Sequence, residues 1–343
     1  MASPYKWPPG FIPALVLLAA YAGLCARLIT QLPMQPDESC RAFAAPSAET
    51  CAGVEPSPLA AAIAHAVPWR RVSSINPKIL LRLPFAAFGL LLGASLALIS
   101  LRWYGTWGGL VAIVFYCFSP AAVLAGAAVR PDGLAAWGFY GAIFLAVATA
   151  HTLYAAPRSL GRWRSWRNPL LWGIALGVGT AAEPWVIFAL PFAFAYVWYL
   201  VPGRRVEATL KLLAGCAIAG AIAAAWGFHL RAPASAFGAI SLQASTLPGD
   251  AFRAEIPLLA AVGCSLLAWA VARRLRHFSN TAPLLIVPAV CLLGRPASAV
   301  PFAAMFAGGV MGDAVTRQRW WRLVAGLLMM AAVVNGLYTV ANL

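Results

Sequence analysis

The sequence has 343 residues, of which 62% are hydrophobic and only 10% are charged, and its mean hydropathy is +0.78. A water-soluble domain normally carries about 25% charged residues, so this composition excludes a soluble enzyme. The formal net charge of +15 would suit a nucleic-acid-binding protein. Here, however, the basic residues stand in short clusters between apolar runs, which is typical of a multi-spanning membrane protein. We therefore predict an all-α, polytopic membrane helical bundle with no nucleic-acid partner.

Apolar runs follow one another along the whole chain, and about 20 residues suffice for one crossing of the bilayer. They predict about eleven transmembrane helices within a single transmembrane domain, residues 1–343. The runs cover residues 11–30, 84–102, 107–128, 133–153, 170–185, 186–201, 209–229, 256–272, 283–294, 297–314 and 322–341. Most Lys and Arg residues fall in the connections on the same side as the N-terminus. By the positive-inside rule this predicts an N-terminus inside and a first loop outside.

Residues 31–83 form the one long polar connection, and long loops are usually functional or disordered. The loop begins with Gln35-Pro36-Asp37-Glu38. These adjacent carboxylates either bind a divalent metal such as Mg²⁺ or Mn²⁺, or act as a general base, or are simply solvated. Residues 57–67 are apolar and helix-prone but too short to cross the bilayer, so they predict an interfacial amphipathic helix in this loop.

The same loop also carries basic residues and two cysteines. Four cations precede the second apolar run: Arg70, Arg71, Lys78 and Arg82. They either anchor the loop to lipid head groups or bind a phosphate group. Cys40 and Cys51 are either free thiols or a disulfide, which would stabilise the fold by about 2–3 kcal/mol.

Two further charges fall at the ends of predicted spans. Asp132, in Arg130-Pro131-Asp132-Gly133, stands near the N-terminus of the fourth span, where the helix dipole stabilises an acid. It is either a helix cap or a functional carboxylate. The predicted topology places it on the same membrane face as Asp37 and Glu38, where these acids together would hold a metal or a sugar acceptor. Arg295 is another cation on that predicted face.

The order of these motifs resembles the GT-C superfamily, specifically the membrane glycosyltransferases of the protein O-mannosyltransferase and aminoarabinose-transferase type. The matching stretches are Pro36-Asp37-Glu38, Ser57-Pro58-Leu59, Arg82-Leu83-Pro84, Arg130-Pro131-Asp132-Gly133 and Gly173-Ile174-Ala175-Leu176-Gly177. The resemblance covers about residues 10–200 and leaves residues 201–343 as divergent C-terminal helices. The large outer C-terminal domain of many members has no counterpart in these 343 residues.

The resemblance implies a catalytic role for Asp37 beside the acceptor, with Glu38 next to it, and a second acid, Asp132, that positions metal or substrate. The implied donor is a polyprenyl-phosphate-linked sugar, used at the outer face of a prokaryotic cytoplasmic (inner) membrane. Cations would bind the donor phosphate, and the candidates are Arg70, Arg71, Lys78, Arg82 and Arg295. Membrane lipids and this donor are thus the implied partners.

One departure from the family pattern supports an alternative. Glu183-Pro184 stands where the family usually has a lysine, and an anion there would repel the donor phosphate. The alternative is a catalytically inactive GT-C-like structural subunit that packs against other membrane subunits in a larger complex. A transporter is a third possibility, disfavoured because the charges fall at one membrane face instead of the midplane.

Overall fold

The computed structural model describes residues 8–34, 38, 58–67, 76–155, 162–226, 254–271, 282–292 and 295–343. In this part of the chain the secondary structure is helical, without a strand, which confirms the predicted all-α class. The helices are α1 (Phe11–Gln31), α2 (Pro58–Ala66), α3 (Pro77–Cys117), α4 (Pro120–Ala127), α5 (Asp132–Ala155), α6 (Arg162–Ala182), α7 (Ala189–Leu200), α8 (Arg205–Ala225), α9 (Ile256–Val271), α10 (Ala282–Cys291), α11 (Pro296–Arg317) and α12 (Trp320–Ala341), with short 3-10 helices at Pro184–Phe188 and Pro202–Arg204.

Six described helical segments are long and apolar enough to cross a membrane. They are Phe11–Gln31, Pro77–Cys117, Asp132–Tyr154, Pro202–Ala225, Pro296–Arg317 and Trp320–Ala341. Two shorter apolar helices, Pro184–Leu200 and Ile256–Ala270, accompany them. The chain is therefore a multi-pass membrane protein, whereas the eleven crossings and their orientation stay predictions.

The predicted second and third spans are two helical segments of α3, separated by a break at Gly105. Gly105 has φ +70° and ψ −171°, in the region of positive φ that glycine tolerates best. The predicted third span is interrupted again at Phe118 and Ser119, before α4 begins at Pro120. In the first loop, the helix predicted near residues 57–67 is present as α2.

The described helices pack as two compact units. The first unit contains α1, α3, α4 and α9 to α12. Its longest interface runs between α3 and α11, where a Cβ added to Gly312 would lie 2.7 Å from the Cα of Gly108. Such small residues let helix backbones approach closely, which is how helices pack when lipid weakens the hydrophobic driving force.

Two buried tyrosines connect α1, α3 and α4 inside the first unit. The rings of Tyr21 and Tyr116 have their centroids 5.4 Å apart. The Tyr21 hydroxyl donates to the carbonyl of Ala122 (3.0 Å), and the Tyr116 hydroxyl donates to the carbonyl of Gly89 (2.7 Å). A buried hydroxyl needs a partner: the Tyr21 bond joins α1 to α4, and the Tyr116 bond joins the two segments of α3 on either side of Gly105.

The second unit contains α2 and α5 to α8, with α6 packed against both α5 and α8. One cluster of charged side chains in this unit is paired. The buried Lys211 donates from Nζ to Glu207 (2.7 Å) and lies 5.6 Å from the centre of the Trp166 ring. Arg204 donates from Nε to the same carboxylate (2.8 Å). Pairing of this kind is expected because isolated charges in apolar helices are costly.

Candidate functional site

Several residues of the predicted site lie outside the described part of the chain. They are Asp37, Arg70 and Arg71, together with Cys40 and Cys51. The metal site expected at Asp37 and Asp132, and the choice between thiols and a disulfide, therefore stay predictions. The described ranges contain no group of three or more His, Cys, Asp or Glu residues placed to hold a metal ion.

Glu38 belongs to the second unit and is completely buried, with 0% of its surface exposed. It takes part in a polar interaction and is not an isolated charge. Taking a carboxylate out of water costs several kcal/mol unless it is paired or hydrogen-bonded. A buried acid in a protein of this composition is therefore a candidate functional group.

Asp132 also belongs to the second unit, as the first residue of α5. Pro131, which has no backbone N–H and a fixed φ, precedes it, and the carbonyl of Pro131 accepts from Ala135 N–H (2.8 Å). The Asp132 side chain is half-buried at the positive end of the helix dipole. The expected position of this acid at a helix N-terminus is confirmed, and its chemical role stays a prediction.

Lys78 and Arg82 lie in the first turns of α3, and both donate hydrogen bonds to the end of α1. Arg82 Nη1 donates to the carbonyls of Ile29 (3.2 Å) and Leu32 (3.0 Å), and its Nη2 donates to that of Pro33 (3.0 Å). Lys78 Nζ donates to the carbonyls of Thr30 (2.9 Å) and Leu32 (3.3 Å). A helix C-terminus leaves carbonyls without intrahelical donors, and these two cations supply the donors.

The other two charges singled out in the sequence, Arg295 and Glu183, each lie directly before a helix. Arg295 directly precedes α11, is half-buried and has an interaction partner. Glu183 precedes the 3-10 helix Pro184–Phe188, is buried with 7% exposure and likewise has a partner. The acids Glu38, Asp132 and Glu183 thus belong to the second unit, and the described cations of the predicted phosphate site belong to the first.

Sequence reasoning missed a buried acid in the first unit, Glu255, which directly precedes α9 and is 6% exposed. Its Oε1 accepts from the Ser119 hydroxyl (2.6 Å) and from the backbone N–H of Ala121 (2.9 Å). Ser119 Oγ in turn accepts from Ala122 N–H (3.2 Å). The carboxylate and the hydroxyl together satisfy the N-terminus of α4, where the broken helix leaves donors unpaired.

The backbone next to Glu255 is itself anchored. Asn335 of α12 donates from Nδ2 to the carbonyl of Ala254 (2.6 Å). The one sequence signal for this acid was its place immediately before the apolar run 256–272. That signal does not identify a partner, since Ser119, the N-cap of α4, is far away in the sequence.

Replacing Ser119 by alanine is expected to lower the free energy of unfolding by about 1–2 kcal/mol, because the N-cap of α4 and one partner of Glu255 are both lost. Thermal unfolding in detergent, followed by circular dichroism, measures the effect. The matched control is Ser95→Ala, since Ser95 is half-buried and, among the described residues, its Oγ donates only to the Leu91 carbonyl within its own helix. Equal unfolding temperatures for the two variants would refute the capping role.

No protein-family model matches this chain, and no curated protein or solved structure matches it either. The fold and the placed residues define a multi-pass, all-helical membrane protein that carries buried acids in both units.

Proposed function

We propose that the chain is a GT-C-like membrane glycosyltransferase that uses a polyprenyl-phosphate sugar donor at the outer face of a prokaryotic cytoplasmic membrane. The observation that carries the proposal is the complete burial of Glu38 next to the Asp37 position. Apolar helical proteins rarely bury a carboxylate without a functional reason. Asp132, the second acid of the resemblance, belongs to the same compact unit as Glu38.

The proposed chemistry is the transfer of a glycosyl group, with a carboxylate as the general base. Asp37 orients an acceptor hydroxyl and takes its proton as the new bond from the acceptor oxygen to the anomeric carbon forms. The bond from that carbon to the phosphate oxygen breaks, and polyprenyl phosphate leaves with the bonding electron pair. Glu38 and Asp132 position the base and the substrate. Asp37 and Asp132 would hold a divalent metal, whose positive charge would offset that of the leaving phosphate.

The donor phosphate needs cations, because its negative charge must be neutralised as it leaves. Lys78 and Arg82 already donate to the carbonyls at the end of α1. We therefore assign phosphate binding first to Arg70 and Arg71, and we give Lys78, Arg82 and Arg295, each of which already has a partner, a supporting electrostatic role.

The test is sugar transfer in proteoliposomes supplied with a panel of labelled polyprenyl-phosphate sugars. We expect Asp37→Asn to lower turnover by about a hundredfold or more, because general-base catalysis typically contributes 10²–10⁴-fold. We expect Asp132→Asn and Glu38→Gln to lower it as well. The matched control is Asp313→Asn, an acid near the end of α11 that pairs with Arg317 and should keep full turnover.

Two results would reject the enzyme. One is equal turnover by wild type and Asp37→Asn. The other is no transfer by a folded wild-type protein with any donor of the panel.

A catalytically inactive structural subunit is the second candidate, favoured by one observation. Arg82, expected to bind the donor phosphate, is 1% exposed and donates to three backbone carbonyls. A subunit of this kind would copurify with other membrane chains in mild detergent, and polyprenyl phosphates would not raise its unfolding temperature. If the protein purified without other chains and polyprenyl phosphates raised its unfolding temperature, the structural-subunit hypothesis would be rejected.

A further inference from the structure

The break at Gly105 is a tight turn that reverses the direction of α3. The Tyr116 hydroxyl reaches the carbonyl of Gly89, 27 residues away, whereas a straight helix of that length would span about 40 Å. Nearer the turn, a Cβ added to Gly109 would lie 2.9 Å from the Cα of Leu101. The two segments of α3 therefore run antiparallel, and Gly105 marks one end of the first unit.

Other helices of the first unit also begin or end beside this turn. Thr106 donates from Oγ1 to the carbonyl of Pro9 (3.1 Å), just before α1 begins. The C-terminal half of α11 passes the turn, since a Cβ added to Gly312 would lie 3.4 Å from the carbonyl oxygen of Tyr104. Because α12 begins shortly after α11 ends, the connection between these two helices lies at the same end of the unit as Gly105.

Six exposed residues at this end combine arginine with tryptophan, and we call them the Gly105 face. They are Arg102, Trp103 and Trp107 beside the α3 turn, and Arg319, Trp320 and Arg322 around the start of α12. The tryptophans are 37%, 39% and 53% exposed in chain order. Exposed tryptophans are typical of the membrane–water interface, so they put the three guanidinium groups at the level of the lipid head groups.

The Gly105 face carries an excess of positive charge within the first unit. The acid beside it, Asp313, pairs with a further arginine, Arg317 (3.2 Å). The sequence segments of the first unit contain two other acids, Asp250 and Glu255. Glu255 lies at the other end of the second α3 segment, where it accepts from Ser119. Asp250 lies outside the described residues, and a single acid could not neutralise three arginines.

An anionic phosphate diester matches this combination of charge and aromatic rings. A guanidinium donates two parallel hydrogen bonds to a phosphate, and its charge strengthens both. A zwitterionic head group brings its own cation, which the arginines would repel. The surface that continues from Trp320 along α12 is apolar, with Leu323 72% and Leu327 66% exposed, so acyl chains can pack beside a bound head group.

We infer that the Gly105 face binds the head group of an anionic phospholipid, whose phosphate oxygens accept from Arg102, Arg319 and Arg322. The sequence-based topology, with the N-terminus inside, puts this end at the cytoplasmic leaflet, where anionic lipids give a negative surface potential. The site lies at the start of α1, whereas Arg82 lies at its end. It is therefore separate from the cations assigned to the sugar donor and does not depend on the proposed sugar transfer.

The test measures lipid binding to the full-length protein in maltoside micelles by native mass spectrometry. Phosphatidylglycerol and phosphatidylcholine with identical acyl chains are compared, and inorganic phosphate is added as a competitor. We expect wild type to bind phosphatidylglycerol about tenfold more tightly, because each arginine near an anionic lipid strengthens binding severalfold. An excess of inorganic phosphate should not displace the lipid, since it has no acyl chains to pack against the protein.

Two triple variants locate the site. The first carries Arg102→Gln, Arg319→Gln and Arg322→Gln, and it should bind the two lipids nearly equally. The matched control carries Arg27→Gln, Arg167→Gln and Arg205→Gln, which replace exposed arginines outside the Gly105 face. Both variants lose the same total charge, so the control should keep the preference for phosphatidylglycerol if the face itself binds the lipid.

The comparison of lipids on wild type needs no variant, and equal binding of the two would overturn the inference. Displacement of phosphatidylglycerol by inorganic phosphate would also overturn it, because the face would then bind a free anion and not a lipid. An equal loss of preference in both triple variants would show that net charge, and not the Gly105 face, determines which lipid binds.

Discussion

Replacing Gly308 by leucine is expected to prevent α3 and α11 from packing together. A Cβ on Gly308 would collide with the backbone carbonyl of Gly108 and would lie 2.8 Å from the Cβ of Ala112. Backbone atoms cannot move aside as the end of a flexible side chain does. Overpacking of cores costs typically about 1–3 kcal/mol, and a whole leucine at a backbone contact should exceed that range.

The matched control for this change is Gly326→Leu. Gly326 lies on α12 with no neighbouring atom within 4 Å of an added Cβ, so the same side chain should be tolerated there. The measurement is the unfolding temperature in detergent, together with the fraction of protein that elutes as a single species. Similar values for both variants would show that the α3–α11 interface tolerates extra volume and would contradict the predicted close approach.

Replacing Arg82 by methionine is expected to lower the free energy of unfolding by about 3–5 kcal/mol. Methionine has a comparable length but no donor, so three carbonyls at the end of α1 lose their buried hydrogen bonds. Lysine at this position should give an intermediate loss, because its ammonium cannot reach all three carbonyls with the geometry of a guanidinium. Unfolding in detergent, monitored by tryptophan fluorescence, measures both variants.

Arg27→Met is the control for Arg82→Met. Arg27 lies near the same end of α1, but it is exposed and, among the described residues, donates only to the side chain of Gln31 (3.1 Å). Its replacement should change the unfolding free energy by less than about 0.5 kcal/mol. If Arg82→Met instead left stability unchanged and weakened only the binding of polyprenyl phosphates, Arg82 would be a phosphate ligand and not a helix cap.

The Arg82 experiment also bears on the choice between the two proposed functions. A purely structural Arg82 leaves phosphate binding first to Arg70 and Arg71, and the proposed enzyme then depends chiefly on those two cations. The turnover assay and the stability assay thus report on different residues, so that one can fail without the other.

Much of the fold could be predicted from the sequence by itself. Long apolar runs with few charges determine a helical membrane protein, because backbone groups within lipid must be hydrogen-bonded inside their own segment. The position of the break near Gly105, the helix at α2 and the placement of Asp132 at a helix N-terminus also followed from local chemistry. Each of these depends on neighbouring residues alone.

The partners of the charged side chains were decided only by the tertiary structure. The sequence allowed Arg82 to bind either a phosphate or a lipid head group, but the fold brings its guanidinium to the end of α1. Glu255 is a single acid before an apolar run with no local motif around it, yet the fold places it at the N-terminus of α4. Hydrogen bonds between distant helices depend on packing at the scale of a few ångströms, and hydropathy and local motifs do not encode that arrangement.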